Sequence, residues 1–207
     1  MDRNALVASL RLIAITDNLR DGIEGLTARA GAAVRGGATM VQLRLKDVDT
    51  RVLVEAARRL VAELDVPVIV NDRVDVAMVA GAAGVHVGAD DMPVDAVRRI
   101  ARADFIVGAS VGNADEAANA ERADYAGVGP VFATGSKSDA GDAIGPDGFA
   151  RLRALVSIPC VGIGGISAAN ARRVIDAGAI GVAVISSVFG ANDAHRAARE
   201  LRAALPT

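Results

Sequence analysis

The sequence predicts a single (β/α)8 barrel, an α/β TIM-barrel domain over residues 1–207. Three observations predict it. Short apolar runs recur eight times, segments of helical period separate them, and no glycine-rich G-x-G-x-x-G turn follows the first run, which ends Ile15-Thr16-Asp17-Asn18. That last point counts against an open, doubly wound nucleotide-binding sheet. The runs are Leu12–Thr16, Met40–Leu43, Val66–Val70, Gly84–Val87, Phe105–Ala109, Tyr125–Val128, Pro159–Ile163 and Gly181–Ile185. Each is continuous rather than alternating, as expected of parallel strands covered on both faces. Helices are expected over 23–35, 50–64, 73–80, 92–101, 113–122, 146–156, 167–177 and 192–204. The stretch from Thr50 to Leu60 repeats apolar residues near i, i+3, i+4 and i+7 against a charged face. Asn113 and Ser167 are placed to cap helix entries. The longest connection, Gly129 to Gly145, is rich in Gly, Ser and Asp and reads as a mobile functional loop.

Composition narrows the function. The 207 residues carry a net charge of −2 and few aromatics, four Phe and one Tyr with no Trp. A nucleic-acid surface normally shows a basic excess and stacking aromatics, so no nucleic-acid partner is expected. The single Cys160 excludes an intrachain disulfide and a multi-cysteine metal site. No apolar run approaches the ~18 residues of a membrane span. The N-terminal apolar stretch is short and broken by Arg11, unlike a signal peptide, so the expected location is cytoplasmic. Of the 23 basic residues, 21 are Arg; Lys46 and Lys137 are the exceptions.

In such barrels, chemistry gathers where the strands end and the βα loops begin. Those positions carry Thr16-Asp17, Gln42-Leu43-Arg44-Leu45-Lys46, Asn71-Asp72-Arg73, Asp90-Asp91, Ser110, Thr134-Gly135-Ser136-Lys137, Gly164-Gly165 and Ser186-Ser187. Period-two geometry sends Gln42, Arg44 and Lys46 to one side, and two cations with an amide suit a di- or triphosphate. The same pattern also fits a solvated strand end. Asp72 and Asp91, with Asp90 as a rival, can share a Mg²⁺ ion, which favours few carboxylates plus water and phosphate oxygens. Helix capping is the plainer reading of these aspartates, with Pro93 in a first turn. Gly164-Gly165-Ile166-Ser167 and Ser186-Ser187 follow the last two runs, where barrels often bind phosphate through backbone N–H groups. A tight left-handed turn before a helix would look the same. His86 reads as a satisfied core histidine, His195 as a surface residue and Cys160 as core. No Ser/His/Asp set and no strand-buried lysine stands out, which disfavours nucleophilic and lysine-imine chemistry.

These motifs, in this order, resemble the thiamine-phosphate synthase family, also called thiamine-phosphate pyrophosphorylase. The resemblance runs from Leu12–Asp17 to Val184–Phe189 through Val41–Lys46, Val70–Asp75, Gly84–Gly88, Asp91-Met92-Pro93, Gly127–Phe132 leading to Thr134–Lys137, and Ile163–Ile166 with Asn170. It implies a Mg²⁺-dependent transferase that joins hydroxymethylpyrimidine diphosphate to thiazole phosphate and releases pyrophosphate. It further implies that Gln42, Arg44, Lys46, Asn71, Ser110 and Lys137 bind the pyrimidine diphosphate. Arg44, Lys46 and Lys137 would carry the catalytic charge, Asp72 and Asp91 would hold Mg²⁺, and Thr134, Ser136, Gly165, Ile185 and Ser186 would hold the thiazole phosphate. The implied partners are small phosphorylated heterocycles, neither nucleic acid nor membrane, with a homodimer allowed. Ala89, Leu45 and Gly112 depart from the family's usual Gln, Glu and His, which thins contacts at the mouth. Two alternatives stand beside this reading: a thiazole tautomerase, which resembles it but carries a histidine where Pro130 stands, and a catalytically silent phosphate-binding barrel.

Overall fold

The structure, a computed structural model, describes residues 2–135 and 141–206. Its strands are β1 (Leu12–Ile15), β2 (Met40–Leu43), β3 (Val68–Asn71), β4 (Gly84–Val87), β5 (Ile106–Val111), β6 (Tyr125–Val128), β7 (Cys160–Ile163) and β8 (Gly181–Val184). All pair in parallel in chain order, and β8 pairs with β1 to close the barrel. The expected fold class is borne out. The closed sheet has no free edge, and every strand is covered by the barrel interior on one side and by helices on the other. That double burial is why the runs are continuously apolar.

Ten helices are present among the described residues: α1 (Arg3–Ser9), α2 (Gly22–Arg35), α3 (Thr50–Glu63), α4 (Val74–Ala80), α5 (Val94–Ile100), α6 (Ala114–Ala120), α7 (Gly145–Arg153), α8 (Ala171–Asp176), α9 (Ser186–Phe189) and α10 (Ala194–Ala204). Two were not anticipated. α1 is only seven residues long, too short for its period to stand out, and Asp2 caps it by accepting the Ala5 N–H at 2.8 Å. α9 is a single turn after β8. Asn113 caps α6 as expected, accepting the Glu116 N–H at 3.0 Å. Ser167 does not cap α8. The helix begins later, at Ala171, after a turn over 167–170 in which the Asn170 amide oxygen accepts the Ser167 N–H at 2.8 Å and the Asn170 N–H donates to the Ser167 carbonyl at 3.1 Å.

The core divides into two parts. Between sheet and helices lie Leu, Val and many Ala side chains, among them Ala30, Ala33, Ala56, Ala57 and Ala77, whose small volume lets the helices approach the strands. Inside the barrel, Leu10, Ile13, Ile15, Met40, Ile69, Ile106 and Val161 pack with the ring of Tyr125. Each fully buried Leu, Ile or Val contributes roughly 1.5–3 kcal/mol of transfer free energy. Toward the strands' C-terminal ends the interior turns polar, with Gln42, Arg44 and His86 buried there. That change of chemistry along one axis positions the site.

Candidate active site

A cavity of about 390 Å³ opens at the C-terminal end of the barrel. Its wall includes Arg44, Lys46, Asn71, Asp72, Asp91, Ser110, Thr134, Gly165, Ile185 and Ser186, brought together from every part of the chain between β2 and α9. Gln42 lies one level lower, lining a small void of about 10 Å³ beneath the cavity with Arg44, Asn71, His86 and Tyr125. Ser136 and Lys137, both expected in the site, lie outside the described residues.

Arg44 follows directly on β2 and is 6% exposed. Its backbone is pinned by the buried Thr16, whose hydroxyl accepts the Arg44 N–H at 2.8 Å and donates to the Arg44 carbonyl at 2.9 Å. Thr16 directly follows β1, so the end of a neighbouring strand sets the direction of the arginine. The Nε of Arg44 is buried and has no hydrogen-bond partner among the described residues. Leaving such a donor unmet costs about 1–3 kcal/mol, more for a charged group, which an anionic ligand would recover. Lys46 stands further out and is exposed at the rim.

The aspartates are not helix caps. Asp72 sits at φ +63°, in the left-handed region that non-glycine residues seldom occupy, while Arg73 is the residue that precedes α4. The Arg73 N–H donates to the Asn71 carbonyl at 2.7 Å and the Asp72 N–H to the His86 carbonyl at 2.8 Å, so the strained turn is tied to β4. Arg73 itself turns away from the cavity to Asp75, at 2.6 Å, and that pairing, led by the side-chain hydrogen bond, lowers the Asp75 carboxyl from its ordinary value. Asp91 is not a cap either, because Pro93 takes that position before α5 and lies just outside the helix rather than in its first turn. One carboxylate oxygen of Asp91 accepts the Gly88 N–H at 2.7 Å, which orients the group at the cavity wall. No group of three or more His, Cys, Asp or Glu side chains able to hold a metal occurs among the described residues. Two carboxylates at one cavity wall suit Mg²⁺, which completes its shell with water and substrate phosphate, better than a metal needing an all-protein cage.

The opposite wall is built from backbone. Gly164 and Gly165 follow β7 with φ of +94° and +62°. A Cβ at Gly165 would lie 2.5 Å from the Ala133 carbonyl oxygen, and one at Gly164 would lie 2.6 Å from the Pro130 Cα. Only glycine fits this double turn against the β6 loop. Asn170 braces it, donating to the Gly165 carbonyl at 3.0 Å, and the Ser187 hydroxyl donates to the Ile166 carbonyl. The left-handed turn and the cavity wall are therefore the same feature.

His86 proves to be a satisfied core histidine that also lines the cavity: Nδ1 lies 3.0 Å from the Tyr125 hydroxyl and Nε2 lies 3.1 Å from the Ser110 hydroxyl. Gly108 and Gly127 make room for it, since a Cβ at Gly108 would overlap the Tyr125 ring and the imidazole. Two residues escaped the sequence reading. Tyr125 was signalled only by being the single Tyr of an aromatic-poor chain. Glu116 lines the cavity mouth, and its carboxylate accepts the Gly112 N–H at 2.7 Å and the Asn113 amide N–H at 2.6 Å. Its spacing of three from the cap Asn113 was the available signal. Cys160 is buried, and burial pushes its thiol up to about 11, so it is inert.

Comparison with known proteins now decides the family: the thiamine monophosphate synthase family profile matches residues 12–188. The chain belongs to the thiamine monophosphate synthase family. It is 52% identical over 202 residues to the thiamine-phosphate synthase of Xanthobacter autotrophicus, covering 95% of each chain. It is 46% identical over 203 residues to that of Azorhizobium caulinodans, covering 96% of each. The solved thiamine phosphate pyrophosphorylase of Pyrococcus furiosus superposes with a TM-score of 0.84 at 42% identity, covering 96% of both chains. The resemblance read from the motifs is thus borne out, as is the reading of the chain as a transferase, a thiamine-phosphate synthase. Among the described residues, no helix is long and apolar enough to cross a membrane.

Proposed function

We propose that the cavity couples hydroxymethylpyrimidine diphosphate to thiazole phosphate, in a Mg²⁺-dependent reaction that yields thiamine phosphate and pyrophosphate in the cytoplasm. The observation that carries this reading is Arg44, a buried guanidinium with an unmet Nε donor that lines the same cavity as Asp72 and Asp91. A cation buried at that depth is matched by a diphosphate rather than by a neutral group.

In this reading Gln42, Arg44, Lys46, Asn71, Ser110 and Lys137 bind the pyrimidine diphosphate. Asp72 and Asp91 would hold Mg²⁺, which when bound draws off charge accumulating on the leaving phosphate oxygens. The carbon–oxygen bond to pyrophosphate breaks first, and the electron pair leaves with the diphosphate. The pyrimidine-methyl cation that remains is captured by the thiazole nitrogen, whose lone pair forms the new carbon–nitrogen bond. Neither step moves a proton. The protein therefore needs no base or nucleophile, and its work is positioning and electrostatic stabilisation. Thr134, Ser136, Gly165, Ile185 and Ser186 would hold the thiazole phosphate, with the nucleophilic nitrogen facing the departing group.

Incubation with both phosphorylated heterocycles and Mg²⁺ tests this directly. Thiamine phosphate and pyrophosphate should appear in equal amounts. Absence of pyrophosphate release with Mg²⁺ present would overturn the reading, and isomerisation of a thiazole carboxylate phosphate in the same preparation would replace it with the tautomerase alternative.

A further inference from the structure

A second guanidinium is largely buried outside the cavity, and the described mechanism gives it no task. Arg29 stands on α2 with 14% of its side chain exposed. Its Nη2 donates to the Asn18 carbonyl at 2.9 Å. Its Nε and Nη1 are buried and make no hydrogen bond among the described residues, although Nη1 lies 3.4 Å from a carboxylate oxygen of Asp17. A Leu or Met would cover the same neighbours without burying unmet N–H groups, so the guanidinium calls for an explanation.

What the guanidinium touches supplies one. Its Cζ lies 5.7 Å from the centroid of the Phe189 ring, within reach of a cation–π contact. Phe189 is fully buried and ends α9, the single turn that opens with Ser186 and Ser187 at the cavity wall. Four residues do not hold a helix by propensity alone, so α9 stands where its packing puts it. At its start the Ser187 hydroxyl donates to the Ile166 carbonyl, which ties it to the glycine turn. At its end Arg20, from the β1–α2 connection, donates through Nη2 to the Phe189 carbonyl at 3.3 Å. Asp17, the ion-pair partner of Arg29, directly follows Thr16, the residue that pins Arg44. Two consecutive residues after β1 therefore lead to the two walls of the cavity. Thr16 leads to the buried arginine of one wall, and Asp17 leads through Arg29 to the α9 turn of the other.

We propose that Arg29 is a positioning residue for the thiazole-phosphate wall. Stacked on Phe189 and paired with Asp17, it fixes α9 against the end of β1 and so sets where Ile185 and Ser186 stand. It touches no substrate itself. The proposal rests on the reading of the cavity as the substrate site. It adds a residue outside that site which governs one wall and leaves the other alone.

Amide hydrogen exchange without substrate, together with steady-state kinetics, tests this in Arg29→Met. The N–H groups of Phe189 and Gly190 bond to the carbonyls of Ile185 and Ser186 at 2.8 and 3.0 Å. Their exchange should quicken about tenfold in the variant, while that of β2–β4 stays as it was. The KM for thiazole phosphate should rise about tenfold, the order expected for one lost stacking contact, with kcat and the KM for the pyrimidine diphosphate within about twofold. Arg29→Lys keeps the charge but lacks the planar fork, so it should show the same selective rise at about threefold. The lysine variant also carries the test if the methionine variant does not fold. Unchanged exchange at α9 overturns the proposal, as does an equal rise in both KM values or a lysine variant indistinguishable from the unmodified protein. Faster exchange at α9 in a protein that releases no pyrophosphate removes the proposed reaction and leaves the brace standing. Normal turnover with neither KM moved by Arg29→Met does the reverse.

Discussion

Around the β2–β4 side of the mouth the cavity wall consists of charged side chains: Arg44, Lys46, Asp72 and Asp91. Around the β7–β8 side it consists largely of backbone, with Gly164, Gly165 and the first residues of α9. Both sides contain left-handed residues, yet they use different amino acids to do so. Among the described residues, the two non-glycine residues at positive φ, Asp47 and Asp72, both follow strands of the first side. On the second side glycines adopt the same conformation. Where a side chain is needed, the chain accepts a strained aspartate; where only N–H groups and close approach are needed, it removes the side chain. In the proposed reaction the first side faces the diphosphate that leaves, and the second faces the phosphate that stays.

The largest effect should come from the charged side. Arg44→Met keeps much of the buried volume and removes the unmet donor. Turnover is expected to fall about 10²–10³-fold, as for loss of one preorganised donor to developing charge, with thermal stability kept. A variant that unfolds yet keeps turnover per folded molecule would make Arg44 a structural residue and erase the difference between the two sides. Asp72→Asn comes next. Asn tolerates the left-handed region as well as Asp does, so the fold should persist while the Mg²⁺ concentration needed for half-maximal turnover rises about tenfold or more. An unchanged Mg²⁺ titration would remove Asp72 from the cation site.

Gly165→Ala probes the backbone side. A left-handed alanine costs about 1–2 kcal/mol before any overlap with the Ala133 carbonyl, so the melting temperature should drop by roughly 4 °C or more. The KM for thiazole phosphate should rise further than that for the pyrimidine diphosphate, and an equal rise in both would show that the two sides do not divide the substrates. The smallest effect belongs to Cys160, outside both walls. Its folded-state pKa is raised above the ordinary thiol value, so its share of stability is full below the ordinary value and is lost as pH climbs toward 11. Melting curves between pH 8 and 11 should show a decline that Cys160→Ala lessens; identical profiles would mean that burial does not govern this thiol.

The two sides also differed in how readily the sequence disclosed them. The strands were legible to within a few residues because double burial forces continuous apolar runs, and the polar residues following them located the mouth. Arg44 and Asp72 could be read as charges at strand ends. Thr16 could not be read as the anchor of Arg44, since that depends on the register between β1 and β2, a non-local property. For Asp72 and Asp91, local spacing suggested helix caps, whereas the tie from Asp72 to the β4 backbone and the turn closed on Gly88 place them otherwise. Ser167 was misread as a cap because residues 167–170 form a turn of their own and α8 starts only at Ala171. The glycine pair was visible, but whether it made a wall or merely a turn depended on the approach of the β6 loop.

A crystal of this protein grown with pyrophosphate and Mg²⁺ separates the two sides, which in the proposed reaction hold different phosphates by different means. Pyrophosphate should lie against Arg44 and Asn71, with the metal between it and Asp72 and Asp91. Pyrophosphate lodged against Gly165 and Ser186, with no metal at the aspartates, would contradict it.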